Sequence, residues 1–560
     1  MITPFLAARP LASRLTLIAL TALWIGLLPN LGPLSQFANA TAAGTGFGWL
    51  GFVAACWLTI FTLTLLALLC IGSVFWGQTI RWLCAAAIVS AAALGYFTFS
   101  LGMRFERTMF ANLIQTTAGE ARELITPYLL LWMLAVGFAP AFFVFRARVR
   151  TNEPWQRHLL RAVAVVAGLF VAVAILVFPQ YQRFASAARS KAITLETVAP
   201  INFIGAAIGH WHALRKVSLV RAPIDAAPRL RSALAPPRLV VFVLGETARA
   251  QNHSLNGYAR ETNPRLRAMD IAYFPDSEAC GTATTISVPC IFSGLTRENF
   301  TMLKGMERET LVDAVKKTGV SVLWRENDGG CKDVCGAAEF EDFTDGPHAT
   351  LCNDIGSCYD ELMLIGLEEK LRARSGDIFL VLHIKGSHGP AYYKRYPKPF
   401  EHFTPACKTA ELQQCSQAEL INAYDNSLVY TDHILAETIL MLQRLSNKFA
   451  PALLYASDHG ESLGENGLYL HGLPYAIAPK VQTQVPMLAW LSPQFLAAAS
   501  WRADCMQKIA GKPSSHDAIF SSLLGLLDIE SNAYKPELDM FRPCDDTPPK
   551  KDRPPNVVTK

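Results

Sequence analysis

The chain has 560 residues, more than one ordinary domain requires, and a formal net charge of +5. This small charge, and the lack of a basic stripe with interleaved aromatic residues, argue against nucleic acid as a partner. Apolar runs dominate up to about residue 180. After about residue 238 the composition is that of a soluble globular protein, so we expect at least two domains.

Five apolar stretches are long enough to cross a bilayer, which takes about 20 residues as a helix. The first is interpreted as an anchor rather than a signal peptide, because four spans follow and no A-x-A-like site closes it. We therefore predict an α-helical five-span membrane domain over residues 1–180. The stretches are 12–30, 49–73, 80–100, 125–146 and 159–178.

Basic residues in the short loops orient these spans. The loop between the first two spans has no Lys or Arg, whereas basic residues precede spans one and three and fill the loop between spans four and five. The basic segments belong in the cytoplasm, so five crossings place the rest of the chain on the far side. The residues are Arg9, Arg14, Arg81, Arg146, Arg148, Arg150 and Arg157.

Ten of the thirteen cysteines follow residue 238, and an even number in an exported domain predicts disulfides. Cys56, Cys70 and Cys84 lie in or beside the spans and are expected to be reduced. The competing interpretation is structural zinc, but no C-x-x-C knuckle occurs. Chain order suggests neighbour pairs: Cys280–Cys290, Cys331–Cys335, Cys352–Cys358, Cys407–Cys415 and Cys505–Cys544.

Segments on either side of the last two spans mix apolar and charged residues, as helices at a membrane surface do. They cover 101–124 and 180–227, and a linker rich in Pro and Arg follows at 228–238. We assign 181–237 to bridging helices and linker. A soluble domain then occupies 238–545, and 546–560 is predicted to be a disordered tail.

Short apolar strands alternate with helical patterns after residue 238, which is typical of an α/β domain. Four strands end in polar clusters: "RLVVFVLGET", "VSVLWREND", "GDIFLVLHIKGSHG" and "PALLYASDHGES". Sites in open α/β sheets form beyond the carboxyl ends of the strands. We therefore expect five residues to converge there: Glu246, Asp328, His388, Asp458 and His459.

Each of these polar residues has an ordinary explanation when taken alone. Glu246 could point to water, the Asp458-His459 pair could lie in a plain loop, and His388 and His471 could be surface histidines. Together, carboxylates and histidines at several strand ends predict a metal site with room for one or two zinc ions.

The segment "ACGTATTISVPC", residues 279–290, places hydroxyl groups between two cysteines. Threonine is a poor nucleophile at neutral pH, and coordination to zinc would lower the pKa of its hydroxyl. A helix is predicted to start at Thr284, where free N–H groups would favour a phosphate. The neighbouring hydroxyls of Thr282 and Thr285 are expected to play supporting roles.

Four segments resemble the phosphoethanolamine transferases of Gram-negative inner membranes, which include lipid A transferases and mobile colistin-resistance enzymes. They are "GETARAQNHSLNGYARETNPRL", "CGTATTISVPC", "GSHGP" and "SDHGESLGENGLYLHG". The resemblance covers nearly the whole chain. It implies a periplasmic α/β domain of the alkaline phosphatase/sulfatase superfamily, in a multi-pass protein of the bacterial inner membrane.

The resemblance implies a covalent mechanism. Thr284 would accept phosphoethanolamine from phosphatidylethanolamine, release diacylglycerol, and pass the group to a lipid A phosphate. Glu246, Thr284, Asp458 and His459 match the family's zinc ligands. Further matches bind a second zinc or the substrate phosphate: His388, His471 and Lys332.

The resemblance also matches Asn112 and Glu120 to residues that contact the lipid head group. Asp328 departs from the family pattern, which has an amide side chain there. The extra cysteine pairs favour the chromosomal lipid A branch. We expect a monomer whose activity weakens binding of polymyxin and other cationic peptides.

Three alternatives remain. A membrane-anchored phosphoester hydrolase would share the zinc and the nucleophile, and another acceptor such as Kdo or heptose would use the same transfer. A sulfatase is disfavoured because Ile291 replaces the Arg of the C/S-x-P-x-R motif. A non-enzymatic membrane protein would leave the strand-end metal residues unexplained.

Overall fold

The computed structural model describes residues 11–39, 47–75, 77–105, 107–116, 118–150, 154–181, 184, 197–214, 221–344, 351–352 and 358–544. The predicted tail at 546–560 and parts of the predicted bridging segment at 181–237 lie outside these residues.

Among the described residues, four helical segments are long and apolar enough to cross a membrane: Leu50–Gly72, Gly77–Leu101, Pro127–Arg146 and Trp155–Gln180. They coincide with the second to fifth predicted spans. The first predicted span, 12–30, corresponds to the shorter helix Arg14–Leu27, which has 14 residues. Pro29 stops it early, because proline has no N–H to donate to the carbonyl of Ile25, which accepts instead from Asn30 Nδ2 at 2.8 Å. A second helix, Leu31–Asn39, follows.

Helix Arg14–Leu27 packs among the longer spans. The Arg14 guanidinium donates to the carbonyl of Gly72 at the end of the next span. Trp24 Nε1 donates to the carbonyl of Val136, 2.9 Å away, in the fourth predicted span. At the opposite end, Asn30 Nδ2 donates to the carbonyl of Ala199 at 2.9 Å. The two ends of this segment therefore contact opposite ends of the helical bundle.

Three shorter helices lie between the spans and the α/β domain: Arg107–Gln115, Ala118–Glu123 and Ile201–Leu214. They fall in the segments predicted to lie along the membrane surface. The ring centroids of Phe110 and Phe203 are 5.1 Å apart, which joins the first of these helices to the third. The first helix also contacts helix Thr284–Ser293 of the α/β domain.

The predicted linker is partly folded onto the α/β domain. Its strand Arg229–Leu230 pairs antiparallel with Ile529–Glu530. At its end, the buried Arg238 guanidinium contacts Asp377 at 3.1 Å and Asp528 at 3.0 Å. Buried arginine is costly unless it is paired, so these contacts hold the start of the domain in place.

An eight-stranded sheet forms the centre of the α/β domain. Its spatial order is β8-β2-β7-β6-β1-β5-β3-β4, and β7 alone runs antiparallel to its neighbours. The strands are β1 (Arg238–Gly245), β2 (Ala272–Glu278), β3 (Ser321–Glu326), β4 (Glu339–Asp342), β5 (Ile378–His383), β6 (Ala450–Ser457), β7 (Gln484–Leu491) and β8 (Ser514–Ser515). All four strands predicted from polar-ended apolar runs are present.

Helices cover both faces of the sheet, as expected for strands whose residues are apolar on both sides. Helix Gln417–Leu445 begins with a capping box between Ser416 and Glu419 and packs on one face with Leu367–Arg372. Four helices pack on the other face: Thr284–Ser293, Leu311–Lys317, Cys505–Ile509 and Ile519–Leu526. Three further short helices are Met302–Met306, Lys480–Thr483 and Pro493–Ala498.

The ten cysteines after residue 238 form five disulfides between the neighbours suggested by chain order. The loops they close differ in length, from 4 residues at Cys331–Cys335 to 39 at Cys505–Cys544. Cys56, Cys70 and Cys84 are free.

Loop length predicts which bridge stabilises the domain most. In the chain-entropy model, closing the longest loop is worth roughly 4 kcal/mol and closing the shortest roughly 2 kcal/mol. The double variant Cys505→Ala/Cys544→Ala should therefore lower the melting temperature of the α/β domain more than Cys331→Ala/Cys335→Ala. Thermal melts of both variants in detergent test this, and equal shifts would contradict it.

Candidate active site

Two neighbouring parallel strands place three of the predicted site residues together. Gly245, the last residue of β1, is in register with Ser457, the last residue of β6. Glu246 and Asp458 therefore leave the sheet side by side, and His459 follows directly. Their side chains offer ligand atoms that all lie within 4.8 Å of one another.

Thr284 follows strand β2, which runs parallel to β6. It therefore lies at the same edge of the sheet as Glu246 and Asp458. Helix Thr284–Ser293 begins at Thr284, as predicted, after the extended residue Ala283. The Cys280–Cys290 disulfide joins the preceding loop to the second turn of this helix. The Thr282 hydroxyl donates to the carbonyl of Leu473 at 2.6 Å, which fixes the loop further.

The Thr284 hydroxyl points into the carboxylate and imidazole groups. Its Oγ1 lies 3.2 Å from Glu246 Oε2 and 3.3 Å from His459 Nε2. His459 Nε2 in turn lies 3.3 Å from Glu246 Oε1 and 3.4 Å from Asp458 Oδ2. One nucleophilic hydroxyl therefore faces a compact set of buried ligand atoms.

Hydrogen bonds leave the inward-facing atoms of this cluster available. Asp458 Oδ1 accepts from the backbone N–H groups of Thr247 and His459, whereas Asp458 Oδ2 is buried with no hydrogen-bond partner. His459 Nδ1 lies 2.9 Å from the carbonyl of Gly460 and donates to it, which turns Nε2 inward. Two carboxylates, an imidazole and a hydroxyl are a donor set that suits zinc.

The charges of the cluster also favour a cation. Burial, reinforced by Glu246, raises the pKa of Asp458 to about 7. Burial lowers the pKa of His459, but Asp458 and Glu246 outweigh this effect and raise it to about 10. Although burial raises the pKa of Glu246, His459 holds it well below its usual value. The cluster therefore favours bound positive charge, which either a proton on His459 or a metal ion can supply.

A cavity of about 180 Å³ opens beside Thr284. It lies between the α/β domain and the surface helices, and its walls include apolar residues from both. Its polar lining includes Thr285, Asp328, Lys332, His388, His471, Asn112 and Glu123. Lys332 lies in the loop closed by Cys331–Cys335, and its Nζ donates to the carbonyl of Gly329 at 3.1 Å.

His388 and His471 both face this cavity. Their ring centroids are 6.3 Å apart, and the ring of His471 lies 4.1 Å from that of His459. Burial lowers the pKa of His388 well below its usual value, so its ring is neutral. His471 Nδ1 lies 3.2 Å from Glu461 Oε2.

Asn112 reaches the site from the surface helix Arg107–Gln115. The hydroxyl of Thr285, next to the proposed nucleophile, donates to Asn112 Oδ1. Glu120 belongs to helix Ala118–Glu123, but its side chain lies outside the described part of the structure.

Buried ion pairs and hydrogen bonds hold the catalytic domain on the membrane segments. Arg395 forms a buried pair with Glu123 and also donates to the carbonyl of His388 at 2.6 Å. Glu411 accepts hydrogen bonds from Tyr96 and Thr126 in or beside the spans. The position of His388 is therefore linked to the membrane domain.

Sequence reasoning missed three buried residues near the site: Glu326, His383 and Glu461. All three lie in the polar-ended strand segments described above, but no role was predicted for them from the sequence. A charged or polar residue at the end of an apolar strand is the signal that could have found Glu326 and His383, because burial there requires a partner.

Comparison with known proteins identifies the family. The pattern described as phosphoethanolamine transferase EptA/EptB matches residues 63–214, and the Sulfatase pattern matches residues 238–529. The phosphoethanolamine transferase EptA of Escherichia coli K12 is 38% identical over 546 residues, which cover 96% of this chain and 98% of that protein. The chain belongs to the phosphoethanolamine transferases.

Two further proteins that are similar to this chain belong to the same family. The phosphatidylethanolamine transferase Mcr-1 of Escherichia coli is 33% identical, covering 95% of this chain and 98% of its own length. The integral membrane lipooligosaccharide phosphoethanolamine transferase A of Neisseria meningitidis has a TM-score of 0.89 at 35% identity, covering 96% and 99% of the two chains. The family resemblance seen in the motifs is confirmed, as is a helical membrane region followed by a sulfatase-type α/β domain.

Proposed function

We propose that this transferase moves phosphoethanolamine from phosphatidylethanolamine to a phosphate of lipid A through a covalent intermediate on Thr284. The observation that carries the proposal is the Thr284 hydroxyl within 3.3 Å of both Glu246 and His459. Such a buried hydroxyl beside a general base and metal ligands is an activated nucleophile.

The reaction takes two displacements. In the first, Thr284 Oγ1 attacks the donor phosphorus, the bond from phosphorus to the glycerol oxygen breaks, and diacylglycerol leaves with the proton that Thr284 loses. Glu246 accepts that proton on its way, because it already accepts the hydrogen bond of the hydroxyl. In the second, a hydroxyl oxygen of the acceptor phosphate attacks the same phosphorus, the bond from phosphorus to Thr284 Oγ1 breaks, and the proton of the acceptor hydroxyl passes to Thr284.

Zinc would be held by Glu246, Thr284, Asp458 and His459, with His388, His471 and Lys332 for a second ion or the substrate phosphate. When bound, zinc lowers the pKa of a coordinated hydroxyl and neutralises charge on phosphoryl oxygens. Lys332 and the N–H groups at the start of helix Thr284–Ser293 would orient the phosphoryl group. His388 lines the same cavity, and its neutral ring can accept a proton there.

Both substrates would be lipids of the inner membrane. The cavity beside Thr284 has apolar walls from the membrane segments, including Phe97, Leu101 and Met109, which fits acyl chains better than a soluble substrate. Asn112 and Glu120 are proposed to contact the lipid head group. The basic loops then place the catalytic domain in the periplasm. The enzyme is proposed to act as a monomer.

We further propose that Arg14–Leu27 is a fifth crossing. As a helix it is about 21 Å long, shorter than the roughly 30 Å hydrocarbon core. Its N-terminal end lies beside Gly72, whereas the following Asn30 lies beside Ala199 near the catalytic domain. The chain therefore passes from one end of the bundle to the other, with residues 28–30 completing the path.

Peptide mass spectrometry of purified enzyme tests the intermediate. The enzyme is incubated with phosphatidylethanolamine without acceptor, and we expect a phosphoethanolamine adduct on the peptide that contains Thr284. Matched samples of Thr284→Ala provide the control and should carry no adduct. Diacylglycerol released without an adduct would favour a hydrolase or direct transfer instead.

The acceptor is a separate question, because a related protein is named for a different acceptor. The Kdo(2)-lipid A phosphoethanolamine 7''-transferase of Salmonella typhimurium is 27% identical over 544 residues. Mass spectrometry of lipid A from cells that express the enzyme should show phosphoethanolamine on a lipid A phosphate. The same cells should be more resistant to polymyxin. A modified Kdo or heptose with unmodified lipid A would establish the alternative acceptor.

A further inference from the structure

A second cluster of buried polar residues lies beneath the cavity, at the ends of β3 and β5. These neighbouring strands are parallel, and Glu326 is in register with His383. The next turn brings Asp328 to the same edge. Glu326 and His383 are fully buried, and Asp328 is 2% exposed. Burying two carboxylates beside an imidazole is expensive unless they are hydrogen-bonded and paired with positive charge.

Hydrogen bonds fix which nitrogen of His383 is available. Glu326 accepts hydrogen bonds from Trp324 Nε1 at 3.0 Å and from the backbone N–H of Asp328 at 2.6 Å. His383 Nδ1 lies 2.8 Å from Glu326 Oε2 and donates to it. Three N–H donors therefore surround the Glu326 carboxylate, which accepts from each of them.

His383 Nε2 is consequently turned toward the other carboxylates. It is buried, has no hydrogen-bond partner, and lies 3.8 Å from Asp328 Oδ2. A histidine that donates one ring N–H to a carboxylate and presents the other nitrogen inward has the arrangement of a metal ligand.

Glu246 completes this group. One ligand atom each from Glu246, Asp328 and His383 lie within 4.8 Å of one another. We infer that these three residues form a second divalent-cation site of the zinc class, with Glu246 shared between the two sites. This site differs from the cavity histidines His388 and His471, and it relates to the proposed zinc site only through Glu246.

The second site would add positive charge where the donor phosphate enters. Asp328 lines the cavity together with Thr284 and Lys332. Two carboxylates of the first site already surround Thr284, so a phosphodiester would meet excess negative charge without further cations. A cation held by Asp328 and His383 offsets that charge.

Metal counting tests the inference. The full chain in detergent is stripped with a chelator, equilibrated with excess zinc, freed of loosely bound metal, and measured by elemental mass spectrometry. Wild-type protein should hold two ions per chain. His383→Gln and Asp328→Asn should each lose one ion, and so should His459→Gln. The double variant His388→Gln/His471→Gln should keep both.

The outcomes separate the two sites. Unchanged zinc content in both His383→Gln and Asp328→Asn would overturn the second site and leave the first intact. Unchanged content in His459→Gln alone would instead contradict the proposed catalytic zinc site. Loss of an ion only from the double histidine variant would overturn the inference, because the second ion would then be bound by the cavity histidines His388 and His471. Asp328→Asn nearly preserves the shape of the side chain. If His383→Gln fails to fold, the zinc content of Asp328→Asn therefore provides the test.

Discussion

Replacing Thr284 with alanine is expected to abolish phosphoethanolamine transfer, with a fall on the order of 10³-fold or more, because the variant lacks the hydroxyl that would form the proposed covalent intermediate. The fold should survive. The Thr284 hydroxyl contacts only site residues, and the Cys280–Cys290 bridge holds the loop independently. Transfer of labelled phosphoethanolamine by purified enzyme provides the measurement, with a thermal melt to confirm folding.

Two matched variants make this result interpretable. Thr284→Ser keeps the hydroxyl and should retain measurable transfer. Thr285→Val removes the adjacent hydroxyl, which contacts Asn112 rather than the Glu246 cluster, and should be much less harmful than Thr284→Ala. Transfer by Thr284→Ala at a rate close to that of Thr285→Val would show that Thr284 is not the nucleophile.

Removing the metal is expected to have the second large effect. Chelated enzyme should lose transfer activity, since the Thr284 hydroxyl would keep an ordinary pKa and donor phosphate would face uncompensated carboxylates. It should also melt at a lower temperature, because an ion that binds only the folded state stabilises it by about 2.7 kcal/mol at one hundred times its Kd.

Adding back zinc should restore both properties, whereas magnesium should restore neither, because its preference for octahedral oxygen ligands does not suit a site with an imidazole. Asp458→Asn offers the matched control: its melting temperature should respond less to chelation than that of wild type. Full activity in enzyme shown to be metal-free would contradict the proposed role of the metal.

The main features of the site could be predicted because they depend on parallel strand ends. Glu246 and Asp458 follow apolar runs, and adjacent parallel strands bring such residues together whatever the intervening loops do. The start of helix Thr284–Ser293 was also local, marked by hydroxyl residues after a short loop.

Other features depend on information that no local pattern holds. The pairing of Glu326 with His383 requires knowing that β3 and β5 are neighbours in register. The strand at Arg229–Leu230 forms only because Ile529–Glu530 returns to it from the far end of the domain. The first membrane helix is shorter than its apolar stretch because Pro29 interrupts it, which hydropathy alone does not register.

The cavity beside Thr284 constrains the kinetics of the proposed transfer. It gives access to a single proposed nucleophile, the Thr284 hydroxyl. Because that one hydroxyl would react first with the donor and then with the acceptor, the two head groups would occupy the same place in turn. Diacylglycerol would then leave before lipid A enters, and double-reciprocal plots at several donor concentrations should be parallel. A large excess of phosphatidylethanolamine should slow turnover by competing with lipid A for the same entrance.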